Sequence, residues 1–151
     1  MKQDPYLNAV EKQMKSGYIT KEGFLGTDTR RLIDILNDDQ ATVNELGIGH
    51  EQIAARLKYL LEKAKEGLGT EVLVDDRFLV MADDVRGRLP CPWGHKGMYP
   101  KTNVRLKNIQ NNEEIIYTAL HIHLIGSHGF YEGRGSRFRL DPQKLKKVLD
   151  L

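Results

Sequence analysis

Cysteine is nearly absent from this 151-residue chain, in which Cys91 stands alone. A single cysteine excludes an internal disulfide framework and fits a compartment where thiols stay reduced. No apolar run approaches the ~20 residues that a membrane-spanning helix needs. The opening residues, MKQDPYLNAVEKQ, lack the apolar core of a secretory signal. A cytoplasmic location without membrane contact is the expectation these absences set. Aromatic residues make up only 7% of the chain, with one tryptophan, Trp93. Net charge is +2, too small to argue for nucleic acid by itself. Motifs with a fixed mechanism are missing too. There is no His-Glu-x-x-His zinc helix and no glycine-rich loop ending in Gly-Lys-Ser/Thr.

What is present is an ordinary globular composition, 40% hydrophobic and 29% charged. The length is enough for one domain or two small ones. Charge is uneven along the chain. Residues 1–89 carry 13 Lys+Arg against 16 Asp+Glu, a net of −3, and residues 90–151 carry 10 against 5, a net of +5. An anionic partner is therefore expected at the C-terminal half.

Asp4-Pro5 and Asp141-Pro142 are helix starts, because Asp caps free amides and Pro is tolerated at the first helical position. The first helix is expected to run to about Ser16 and the last from Gln143 to Leu149. Tyr18 to Gly26 reads as irregular or as a short strand. A second helix is expected to be capped by Thr27 or Asp28 and broken by Asn37-Asp38-Asp39. A short helix over residues 42–46 follows, then a Gly47-Ile48-Gly49 turn and a long helix from His50 to Glu66. The long helix carries Ile53, Leu57, Leu60, Leu61 and Ala64 on one face. Glu71–Val74 and Arg77–Met81 flank Asp75-Asp76 as a hairpin. This order, over residues 27–82, resembles a winged helix-turn-helix. The long helix exposes Glu51, Gln52, Arg56, Lys58, Glu62 and Lys63. That mixed face disfavours DNA, whose phosphates demand net positive charge.

Residues 83–88 read as a connector leading to Pro90-Cys91-Pro92-Trp93, where proline excludes helix and central strand and leaves an ordered loop or a disordered linker, and burial of Trp93 argues for order. Thr102–Gln110 and Glu114–Ile125 read as antiparallel strands. Ile116, Thr118, Leu120 and Ile122 are expected on the core face. Tyr117, His121 and His123 are expected on the opposite face, beside Arg105 and Lys107. A glycine-rich loop then leads to a short strand over Ser136–Leu140. The expected fold class is α+β. Residues 1–86 form a mainly helical part with a small hairpin, and residues 88–151 form a small antiparallel sheet with a closing helix, the two sharing a core or standing apart.

The densest chemistry lies in Ile115–Asp141, which holds three of the five histidines and three arginines. His121, His123 and His128 are candidate metal ligands, with Cys91 and His95 as further donors. Three histidines suffice for a catalytic Zn²⁺ that keeps an open position. Arg134, Arg137 and Arg139, with Tyr117, are candidates for binding an anionic small molecule, phosphorylated ones included, since arginine grips phosphate through paired hydrogen bonds. Cys91 beside His95 or His128 is also the arrangement a nucleophilic thiolate needs. His50 reads as a neutral capping or surface residue. Three functions follow. The first is a His/Arg site for an anionic ligand, with or without Zn²⁺, hydrolytic if it is an enzyme. The second is a regulator binding DNA or protein through residues 27–82. The third is a structural or assembly protein without a small-molecule site.

Overall fold

Among the described residues, 2–151, the computed structural model has five helices and one four-stranded antiparallel sheet, an α+β architecture. Helix α1 (Pro5–Gln13) starts as expected, with the Asp4 carboxylate accepting from the Leu7 amide at 2.7 Å. Gly17 follows at φ +85°, and Tyr18–Gly26 holds no strand.

Helix α2 (Leu32–Glu45) differs from the expected pair of helices. Asn37-Asp38-Asp39 does not break it, and residues 42–46 are its last turn. The reason is charge pairing, with Arg139 from far along the chain and with Arg30 just before the helix. Asp39 is buried against Arg139, and Asp38 receives Arg30 at 2.7 Å. Neither Thr27 nor Asp28 is the cap. The first amides of α2 donate instead to α1 and its leader: Leu32 to Glu11 and Ile33 to Gln3, both at 2.8 Å. Asp28 is occupied by Arg30 and by the Arg134 amide, which together hold its carboxyl far below the usual range.

Helix α3 (His50–Lys65) buries Ile53, Leu57, Leu60, Leu61 and Ala64 as its periodicity requires. The hairpin follows: β1 (Val72–Val74) and β2 (Phe78–Pro90), turning through Asp75 and Asp76, both at positive φ. It is no free wing. Strand β2 continues through the expected connector and pairs with β3 (Met98–Asn108) nearly to its end, with a register shift between Val85 and Arg88.

The next correction concerns the second half. Strand β4 (Glu114–Thr118) stops where the alternation seemed to continue, and α4 (Ala119–His128) follows at once. The faces of β4 are also reversed. Val104 pairs with Tyr117 and Leu106 with Ile115, all buried, whereas Arg105 lies opposite the exposed Ile116. The five-residue connection, 109–113, sets this register, with the Asn112 amide on the Asn108 carbonyl at 2.8 Å. Ser136–Leu140 forms no strand either, and its backbone turns toward α5 (Pro142–Leu149).

Two apolar clusters result. One joins α3, α5 and the inner sheet face, from Val43 to Leu149. The other joins α1, α2 and Phe24 to Cys91, Leu120, Leu124 and Phe130. Helix α4 supplies both, giving Leu120 and Leu124 to the second and Ile125 to the first. No helix among the described residues is long and apolar enough to cross a membrane.

Candidate metal centre

The loop after β2 turns tightly, with the Gly94 amide on the Cys91 carbonyl at 2.9 Å and Gly94 at φ +80°. A glycine takes that left-handed conformation without steric cost. The turn aims the Trp93 amide at Cys91 Sγ, 3.4 Å away. The thiol itself is 2% exposed. Burial pushes its pKa up, only partly offset by the backbone amides of Trp93 and His95.

Facing this loop, α4 presents His123 and His128. Five residues apart on a helix means about 140° around its axis, yet the two rings are 5.1 Å apart. Each is held by an aromatic wall. Trp93 stacks on His128 at 4.1 Å and 5°, and Tyr99 stacks on His123 at 4.6 Å. His95 reaches over from the loop to 4.6 Å from the His128 ring and 5.3 Å from that of His123. Cys91 Sγ lies 3.5 Å from His128 Nε2. One ligand atom from each of Cys91, His95, His123 and His128 falls within 4.8 Å of all the others. These four side chains can hold a metal ion.

Electrostatics favour neutral donors. Burial and the neighbouring imidazoles His123 and His95 lower the pKa of His128 to about 4. Burial, then His95, lowers that of His123. His123 Nε2 is buried and has no hydrogen-bond partner among the described residues, while its Nδ1 meets Ser127 Oγ at 3.3 Å. A buried polar atom without a partner is costly and asks for an explanation. A metal ion would use that lone pair, with Ser127 orienting the ring through the other nitrogen.

No protein-family model matches the chain, and no curated protein or solved structure matches it either. Geometry and chemistry alone carry the functional argument.

The sequence-predicted residues divide. Cys91, His95, His123 and His128 come together, but His121 does not join them. Its Nδ1 accepts the Thr118 amide at 3.0 Å, and its Nε2 meets the buried Glu132 at 2.5 Å. With Nδ1 accepting, Nε2 carries the proton and donates to the carboxylate. Ser136 donates to the other Glu132 oxygen at 2.6 Å. Both ring nitrogens of His121 are thereby engaged, and neither is left for a metal.

Nor do the arginines converge on the histidines. Arg139 makes a two-pronged pair with Asp39, at 2.8 and 3.0 Å, and donates to the Glu132 carbonyl at 2.7 Å. Arg137 lies over the Phe138 ring, and Arg134 is exposed. Tyr117 is fully buried with its hydroxyl on the Leu57 carbonyl at 2.7 Å. His50 bridges Tyr131 at 2.6 Å and Gln40 at 2.8 Å, and burial lowers its pKa. What sequence reasoning missed were the supports of the cluster: Trp93 and Tyr99 as walls, Ser127 as orienter. The i, i+4 spacing of His123 and Ser127 was the available signal, and it appears only once the segment is read as helix.

Proposed function

We propose that this protein binds Zn²⁺ through Cys91, His95, His123 and His128, and that the metal fastens the loop after β2 to helix α4. The observation that carries the reading is the buried, unpartnered Nε2 of His123 inside a cluster of four metal-type donors. Zinc bonds of about 2.3 Å to sulfur and 2.0–2.1 Å to nitrogen in a tetrahedron put S and N about 3.6 Å apart. The 3.5 Å between Cys91 Sγ and His128 Nε2 fits that edge. Four protein donors complete the tetrahedron, which favours a structural over a hydrolytic metal. Mixed thiolate and imidazole ligation suits Zn²⁺ better than the hard, oxygen-seeking Mg²⁺ or Ca²⁺.

Elemental analysis of untagged protein, purified without chelator, tests this. Near-stoichiometric zinc is expected, lost in a Cys91→Ala His128→Ala variant and retained in His121→Ala. Equal loss in His121→Ala, or no zinc in the parent after reconstitution, overturns it.

For an anionic ligand, the other half of the sequence expectation, we propose a different part of the molecule. A groove of about 560 Å³ beside the sheet is lined by Arg105, Lys107, Arg137 and Lys144, with the carboxylates Glu71, Glu114 and Asp141 also on its walls. None of these four cations makes an ion pair among the described residues. Arg139 also borders it but is committed to Asp39, and Arg134 and Tyr117 do not line it. Inorganic phosphate that shifts the Arg105 and Arg137 side-chain resonances would support this second reading. Unmoved resonances at tens of millimolar would end it.

A further inference from the structure

The four donors of the metal centre are not held alike. Cys91 is buried, receives the Trp93 amide, and sits in the second apolar cluster. His123 and His128 share one helix, and each lies against an aromatic ring. His95 is held less firmly: its ring meets only the imidazoles of His128 and His123, at 4.6 and 5.3 Å, and its one polar tie is a backbone amide directed at Cys91. It is exposed, its backbone is in an irregular loop, and no hydrogen bond holds its ring among the described residues. Gly94 and Gly97 bracket it at φ +80° and +106°, and a Cβ on either would meet nothing within 4 Å. The backbone on both sides of His95 is therefore both permissive and uncrowded. Lys96, the next residue, is an exposed cation at the same edge.

We infer that His95 is an exchangeable ligand: it can leave the metal without disturbing Cys91, His123 and His128, and open a solvent-facing position for a small anion. This rests on the zinc-binding reading and extends it. The exchange is a ligand substitution. The metal–nitrogen bond to His95 breaks, a lone pair from the incoming anion takes its place, and no electron is transferred. Three protein donors plus one exchangeable position is the arrangement of metal sites that act on ligands rather than merely hold a fold. Centres with four equally buried ligands lack it. The difference lies in one loop residue, so the site reads as closed when donors are merely counted.

The experiment uses the full chain loaded with Co²⁺, whose visible absorption reports the number and type of ligands, and azide as the anion. His95→Ala is expected to keep one Co²⁺ per chain, whereas Cys91→Ser loses most of it. Azide is expected to shift the visible band of His95→Ala at a concentration at least tenfold below that needed for the parent. The parent should still shift when azide is raised further, as the anion displaces the imidazole. If His95→Ala loses the metal as completely as Cys91→Ser, His95 is an obligatory ligand and the inference is wrong. It is equally wrong if His95→Ala holds Co²⁺ but its band ignores azide. If the parent itself takes up no Co²⁺ or Zn²⁺, the zinc-binding reading has failed, a different result from either.

Discussion

The state of single side chains already makes quantitative demands. The thiol of Cys91 is pushed above its usual 9.0 by burial, whereas His123 and His128 are held below 6.5. At pH 8 both imidazoles are unprotonated and ready to bind, but the sulfur still carries its proton. A metal needs the thiolate. Zinc binding at pH 8 should therefore release one proton from Cys91, and affinity should rise about tenfold per pH unit between pH 7 and 8. Calorimetry in two buffers of different ionisation enthalpy measures the release. A value near zero would mean that sulfur is not a ligand. A second residue-scale demand comes from Arg139 and Asp39, a pair with little solvent access. Removing one partner strands the other charge in the interior, so Arg139→Met should cost about 3 kcal/mol in urea unfolding. Asp39→Asn on top of it should recover part of that loss, because the stranded carboxylate is gone. A double variant no more stable than the single would show that packing, not charge, sets the cost.

At the scale of elements, α4 decides whether the site exists. Its sequence, TALHIHLIGSHG, alternates in a way that fits a strand, and on a strand His121 and His123 would share a face. On the helix they diverge, and His123 meets His128 instead. The helix signals were present. Thr118 is the N-cap with His121 at the third position in a capping box, and Gly129 closes the helix at φ +62°. Histidine in the place usually held by Glu or Gln hid the box. The Asp-Pro starts of α1 and α5 and the face of α3 were legible because each rests on local chemistry. Helix α2 was not, since Asp39 is neutralised by Arg139, a hundred residues away, and Asp38 by Arg30 just before the helix. Nor was the grouping of Cys91 and His95 with His123 and His128, which depends on where β2 and β3 deliver their connecting loop. Gly129 offers a test at this scale. A Cβ there would sit 2.8 Å from His50 Nε2, and its positive φ disfavours any L side chain. Gly129→Ala is expected to destabilise the protein by more than about 1 kcal/mol and to weaken zinc binding through the neighbouring His128. Unchanged zinc affinity in a destabilised variant would uncouple the end of α4 from the metal.

For the whole molecule, what matters is where the centre lies relative to the two apolar clusters. The cluster built on α3, α5 and the inner sheet face contains no metal-type donor. The other contains Cys91, with Trp93 and Tyr99 packed against it, and depends on the loop after β2 staying folded over α1, α2 and α4. Besides apolar and ring packing, two polar contacts tie this loop to the helices: the Tyr6 hydroxyl on the Trp93 carbonyl at 3.1 Å, and Cys91 Sγ 3.5 Å from His128 Nε2. Metal bound to the native state alone adds stability by mass action, about 2.7 kcal/mol at one hundred times the dissociation constant. That contribution should fall unequally, because local opening can release one cluster without the other. Stripping the metal should therefore raise amide exchange at Leu89, at Trp93 and Gly94 in the loop after β2, around Tyr99, and at Val10 and Met14 of the α1 region. Val104, Leu106 and Tyr117 should keep their protection. The single tryptophan should report the same event as a change in fluorescence, since its ring loses a fixed partner in His128. Uniform loss of protection across both clusters would mean that the metal supports one cooperative core. No loss anywhere would mean that the loop holds itself in place and that the metal serves chemistry alone.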